Sequence, residues 1–212
     1  MKKTHGNGER FGWSQCQAGR FSPFTPKLTY NKPMPDELFD IVTEEDVVIR
    51  QAPRSVAHAQ GLWHRGVHVL LFDPQGRLLV QQRSRTRTHA PLTLDCSISE
   101  HVQTGETYLQ AAVRGLEEEL GVSGLELQPL LKFKMNYGPN DNEISLLYRS
   151  AFNQQPLRFD PEEVERVEFF TLAELEERLA SEPAAFSYWF AQILRWLLGQ
   201  PSALQPLDAP PK

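Results

Sequence analysis

The sequence predicts an α/β domain, and three observations carry that prediction. Short β-hairpins are followed by one strongly capped internal helix, further strands come next, and two helices close the chain. Asp36 to Arg50 reads as a first hairpin, with Leu38–Val42 and Val47–Arg50 flanking acidic turn residues. Val67–Phe72 and Arg77–Gln82 form a clearer one around Asp73-Pro-Gln-Gly76, a type I turn signature. For the internal helix, Thr107 is the N-cap and Gln110 completes a capping box. Leu109, Ala112, Val113, Leu116 and Leu120 recur at helical spacing, and Gly121 is the C-terminal stop. Strands follow near Leu125–Tyr137, Ile144–Phe152 and Val164–Phe170. Thr171 caps a helix over Leu172–Ala180, and a last amphipathic helix covers about Ala184–Leu198.

At 212 residues the chain suits one domain with extensions, and 40% hydrophobic with 23% charged residues supports a sizeable core. We expect residues 1–34 to be an N-terminal extension, 35–200 the domain, and 201–212 a disordered proline-rich tail. A formal net charge of −5 argues against nucleic acid as a partner. The hydrophobic segment near 186–198 is broken by Gln192 and Arg195, which argues against a membrane span or membrane partner. Cys16 and Cys96 lack metal-ligand spacing, and with no apolar leader a cytoplasmic protein is expected.

Residues 100–122 carry the chemistry. Glu118 and Glu119 occupy the last turn of the capped helix, where the macrodipole disfavours acidic side chains and a bound cation would offset the cost. Magnesium takes one or two carboxylates together with water and substrate phosphate. The stretch Gly105-Glu106, then Arg114-Gly-Leu-Glu-Glu-Glu-Leu-Gly-Val122, resembles the Nudix box, Gly-x5-Glu-x7-Arg-Glu-U-x-Glu-Glu-x-Gly-U, with U aliphatic. Trp63-His-Arg-Gly-Val-His-Val69, Leu78-Leu-Val-Gln-Gln-Arg-Ser84 and Asp160-Pro-Glu-Glu-Val164 extend the resemblance over about residues 36–198.

The resemblance implies a Nudix-type α/β/α sandwich with a mixed β-sheet. It also implies a divalent metal, Mg2+ or Mn2+, held by Glu118, Glu119 and Glu100, with a small-molecule diphosphate as substrate. Nudix proteins often dimerise, and the apolar face of the terminal helix offers a homodimer surface. Two positions depart from the box: Glu100 stands where the opening glycine belongs, and Gly115 where a glutamate should follow Arg114. Nothing in the local sequence requires Gly115, so the general base is sought at Glu143 or Glu100.

Ala57-His58-Ala-Gln-Gly-Leu-Trp-His64-Arg65 resembles the branch containing isopentenyl diphosphate isomerase. That branch binds a metal through histidines before the first core strand, a histidine before the box, and acidic residues of a later loop. His64, His101 and Glu143 match those places, with His58 nearly in register. The isomerase's catalytic cysteine falls on Ser99, which disfavours isomerisation. His64 and His101 are therefore read as metal or substrate contacts, and His68 and His89 as structural. Arg83, Arg85 and Arg87 alternate at a strand end, which would align them on one side toward a diphosphate, Arg83 foremost.

The leading expectation is a metal-dependent hydrolase cleaving a pyrophosphate bond in a nucleoside diphosphate linked to another group. An isomerase of allylic diphosphates and a non-catalytic nucleotide-binding domain are the alternatives.

Overall fold

A computed structural model describes residues 36–153, 155 and 157–207. The N-terminal extension and the last five residues lie outside them. A two-stranded antiparallel ribbon, β1 (Leu38–Val42) and β2 (Val48–Pro53), leads into a short helix, α1 (Arg54–Gln60). The main strands are β3 (His64–Phe72), β4 (Leu78–Arg83), β5 (Leu94–Asp95) and β6 (Ile98–His101). After the internal helix α2 (Tyr108–Leu120) come β7 (Gln128–Gly138), β8 (Asp141–Ala151) and β9 (Val164–Phe170). Helices α3 (Leu172–Ser181) and α4 (Tyr188–Leu197) follow, and β10 (Gln205–Pro206) ends the described chain.

The sheet runs β10-β7-β8-β3-β4-β5, with β6 added to β3 and β9 to β4. The pair β3–β8 is parallel while the others are antiparallel, so the sheet is mixed. Alternation along β3 sends successive side chains to opposite faces. Val67, Val69 and Leu71 join Ala112, Leu116 and Leu120 of α2 in one core. Leu70 packs with Leu175 and Leu179 of α3 and with Phe190 and Ile193 of α4 in another. Helices thus cover both faces, giving the expected α/β/α sandwich.

Both capping boxes form, at Thr107 with Gln110 and at Thr171 with Glu174. The buried stripe of α2 differs from the one the spacing predicts. Leu109 and Val113 are exposed, whereas Ala111, Ala112, Gly115, Leu116, Glu119 and Leu120 are buried. The helix is rotated so that a glycine and a glutamate, rather than two larger aliphatics, meet the sheet.

Two other differences bear on the site. Strand β8 begins at Asp141, not Ile144, so the polar run Asp141–Glu143 is paired chain, with Met135 opposite Glu143 and Asn136 opposite Asn142. The short α1, closed by Gly61 at φ 63°, was not apparent from the sequence. The predicted last helix starts later, at Tyr188, because Ser187 caps it through Phe190 N. Its apolar face packs into the core through Phe190, Ile193 and Leu194. Within the tail, Gln205 and Pro206 form β10, which pairs with Lys134 and Phe133. Among the described residues no helix is long and apolar enough to cross a membrane.

Candidate metal and diphosphate site

Three adjacent strands bring the first group of donors together. Parallel register sets His64 of β3 beside Glu143 of β8, and antiparallel register sets Gly66 beside His101 of β6. Gly66 has a steric reason: a Cβ there would fall 2.1 Å from Glu143 Oε2. With that space open, Glu143 Oε1 lies 3.8 Å from His64 Nε2 and 3.5 Å from His101 Nε2. His58 comes from α1, its Nδ1 3.2 Å from Asp141 Oδ1, which is 3.9 Å from His64 Nε2. Phe39 of β1 stacks on His64 and His101, with ring centroids 5.2 and 4.9 Å apart.

The chemistry of this cluster suits a divalent cation. His64 Nδ1 lies 2.9 Å from Leu62 O and must donate to it, which leaves the Nε2 lone pair free. Nε2 of His64 and of His58 are buried without a hydrogen-bond partner. His58, His64 and His101 form one group of close donor atoms, and His64, Asp141 and Glu143 another. Burial lowers the pKa of His64, partly opposed by Glu143, and takes His101 down to about 3, with Arg54 and His58 adding to the effect. Both imidazoles are therefore neutral, the state that binds metal. Burial pushes Glu143 upward, with His64 opposing. A cation among these groups would reverse the penalty on the carboxylate. Imidazole with carboxylate fits manganese or zinc as well as magnesium.

The box residues form a second region against α2. Glu119 is buried and accepts from Gln81 Nε2 at 2.8 Å; burial, then the neighbouring Glu100, raise its pKa well above the usual range. Glu118, one position back, is open to solvent and accepts from Arg114 Nη1 at 3.0 Å. Arg114 also clamps both oxygens of Glu106 at 2.9 and 3.1 Å and donates to His101 O at 2.8 Å. It ties the box helix to the strand that carries His101.

Glu100 explains Gly115, which the sequence reading left without a local reason. Gly115 is buried, and a Cβ there would sit 3.2 Å from Glu100 Cβ and 3.2 Å from Ile98 Cδ1. The Glu100 side chain therefore lies beside the place where a residue at 115 would project. Burial raises its pKa to about 7 against the pull of Arg114, and its Oε1 accepts from His101 N at 2.8 Å. The two departures from the box are neighbours in space, the glutamate on the strand facing the glycine on the helix. Glu100, Glu118 and Glu119 nonetheless do not share one tight donor group, unlike the histidine cluster.

The arginines are placed differently from the expectation. Strand β4 ends at Arg83, so Arg85 and Arg87 lie beyond it and do not alternate along a strand. Arg83 is nearly buried, donating to Asp95 Oδ2 at 2.9 Å and to His89 O at 3.1 Å, with its guanidinium 5.0 Å from the Trp189 ring centroid. Arg85 pairs with Glu165 and Arg87 with Glu163. All three serve ion pairs of the fold here.

The family profile described as NUDIX domain matches residues 62–190, which span β3, the box helix and the strands that hold the cluster. This chain belongs to the Nudix family. It is 39% identical over 165 residues to an isopentenyl-diphosphate Delta-isomerase of Streptomyces avermitilis, covering 74% of this chain and 81% of that one. It is 42% identical over 147 residues to an uncharacterised Nudix hydrolase of Streptomyces coelicolor, covering 68% and 80%. Among solved structures, DR0079 from Deinococcus radiodurans superposes with a TM-score of 0.65 at 28% identity, covering 76% of this chain and 98% of that one. Within this Nudix protein, Asp141 is the donor that sequence reasoning passed over. The signal was present, since Asp141-Asn-Glu143 puts two carboxylates on one side of a strand.

Proposed function

We propose that this Nudix protein is a metal-dependent hydrolase that cleaves a pyrophosphate bond in a nucleoside diphosphate linked to another group. The observation that supports it is Glu100 beside Gly115, which keeps a second box carboxylate near Glu119. A divalent ion, Mg2+ or Mn2+, would polarise a phosphoryl oxygen and activate water. Glu119, Glu118 and Glu100 are the box residues proposed to hold it. His64, His101 and Glu143, with His58 and Asp141, are proposed to hold a second cation or the substrate's diphosphate. Glu143 is buried and proton-seeking, which suits it to accept a proton from water. Residues 35–200 make up the proposed catalytic domain.

The test is phosphate release with Mg2+ or Mn2+ across nucleotide sugars, dinucleotides and nucleoside di- and triphosphates. Turnover of one class is expected, falling about 10²-fold or more in Glu119→Gln. Unchanged turnover in that variant would sink the reading.

The histidine–carboxylate cluster favours a second reading, an isomerase of allylic diphosphates, as the Streptomyces avermitilis relative is named. Ser99, where that branch carries a cysteine, weighs against it. Proton exchange between isopentenyl diphosphate and solvent distinguishes the two, and its absence dismisses the isomerase.

A further inference from the structure

Helix α1 has little apolar reason to stay where it is. It is seven residues long, too short to hold itself in water, and Ala57 alone of its residues is buried. Its small core, with Phe39, Ile41 and Ala52, is separate from the two cores that flank the sheet. What meets it is the tip of the β7–β8 hairpin. Asn140 Nδ2 donates to Ala59 O at 3.3 Å, and Asn142 Nδ2 donates to Gly61 O at 2.9 Å. Asp141, between them, has Oδ1 3.2 Å from His58 Nδ1. Three consecutive residues of the hairpin thus grip the end of the helix that carries His58.

Asn142 can face α1 in one way only. The Gly138 N–H donates to Asn136 Oδ1 at 3.1 Å, so the Asn136 amide nitrogen turns across the strand pair and donates to Asn142 Oδ1 at 2.7 Å. With its oxygen occupied, Asn142 presents its nitrogen to Gly61 O. A flipped amide would set donor against donor and acceptor against acceptor. Asn140 stands at φ 62°, in the left-handed region that asparagine enters more readily than most side chains. The two backbones approach closely there: a Cβ on Gly61 would lie 3.2 Å from Asn140 Cα.

The grip fixes one imidazole. The His58 ring is T-shaped to that of His64, with centroids 4.8 Å apart, and its Nε2 is buried without a hydrogen-bond partner. A carboxylate beside one ring nitrogen orients the other for a metal. His58 is the one close donor from outside the main sheet, since His64, His101, Asp141 and Glu143 stand on β3, β6 and β8. With His58 the cluster holds three imidazoles and two carboxylates; without it the two kinds are equal. Imidazole suits zinc, whereas oxygen donors suit magnesium. We propose that Asn136, Asn140 and Asn142 are positioning residues that hold His58 on the cluster, and so set its preference for Zn2+ over Mg2+. The proposal rests on the reading that the cluster holds a cation, and is independent of which bond the protein cleaves.

The experiment uses the full-length protein and the metal alone. Titration calorimetry of Asn142→Ala should show Zn2+ binding about 10–100-fold weaker, with Mg2+ binding nearly unchanged. Asn142→Leu keeps the volume without the donor and should behave in the same way. His58→Ala should lose at least as much Zn2+ affinity, and Asn142→Ala should cost nothing further in that background. A purely structural role would weaken both cations alike, or add to the loss from His58→Ala, and either result overturns the proposal. Hydrogen exchange without metal reads the grip itself. The Gly61 and Leu62 amides both donate to Ala57 O and should exchange faster in Asn142→Ala. Unchanged protection at those two amides overturns the grip. Wild-type protein that binds no Zn2+ would instead sink the cation reading of the cluster, and the selectivity with it, while exchange at Gly61 and Leu62 still decides the grip.

Discussion

Glu143→Gln is expected to abolish divalent-cation binding at the histidine cluster while leaving the protein folded. Glutamine keeps the volume beside Gly66 but removes the charge, and the two imidazoles 3.8 and 3.5 Å from Oε1 then face a neutral amide. Loss of an outer-shell partner costs about 10–100-fold in metal affinity, and loss of a direct ligand should exceed that. Titration calorimetry with Mn2+ measures it, and affinity within threefold of wild type would remove Glu143 from the site. The pH dependence has a definite sign. Glu143 and Glu100 are raised, Glu100 to about 7, so at lower pH a proton occupies the carboxyl and competes with metal. His64 and His101 are lowered, His101 to about 3, so protons compete less at these imidazoles than at ordinary histidines. Metal affinity should therefore rise from about pH 6 to about pH 8, with proton release on binding. The Glu143→Gln variant should lose the part of that release belonging to the cluster.

Exchanging Glu100 and Gly115 should separate what each departure from the box does. Gly115→Glu alone places a second carboxylate against Glu100 Cβ, 3.2 Å from the new Cβ, in a buried region. Overpacking typically costs about 1–3 kcal/mol, and like-charge repulsion adds to it. Glu100→Gly alone removes the strand carboxylate and should lower turnover by about 10²-fold. The double variant restores the arrangement the box ordinarily has, so it should be both more stable than Gly115→Glu and more active than Glu100→Gly. Stability by urea unfolding and turnover with Mg2+ complete the cycle. A double variant no better than its worse parent would show that the two positions are not coupled.

The parts of this protein that could be read from sequence are those fixed by neighbours in the chain. Thr107 and Gln110 sit three residues apart and form their capping box as read. The turn Asp73–Gly76 is closed by Asp73 accepting from Gln75 N and Arg77 N. The α/β/α order follows from the same local signals and from the family resemblance. Distant contacts were not readable. Gly115 looked arbitrary because its reason, Glu100, lies on another element. Arg83 looked free for a diphosphate because Asp95 and Trp189 are brought to it only by the fold. Asp141 was taken for loop because the hairpin that extends it into β8 is made by pairing with Gly138.

The parallel pairing of β3 with β8 also governs when the proposed metal site comes into being. His64 and Glu143 are register partners, yet the whole of β4 to β7 lies between them in the chain. Pairings of such high sequence separation close late, because the loop entropy must be overcome before any contact repays it. A nascent or partly folded chain holds histidines on one segment and carboxylates on another, and so offers a cation only fragments of the set. Divalent metal should therefore leave the refolding rate almost unchanged and slow unfolding instead, since its stabilisation arrives after the rate-limiting step. A cation held at the proposed site would then act as a kinetic lock on the finished sheet.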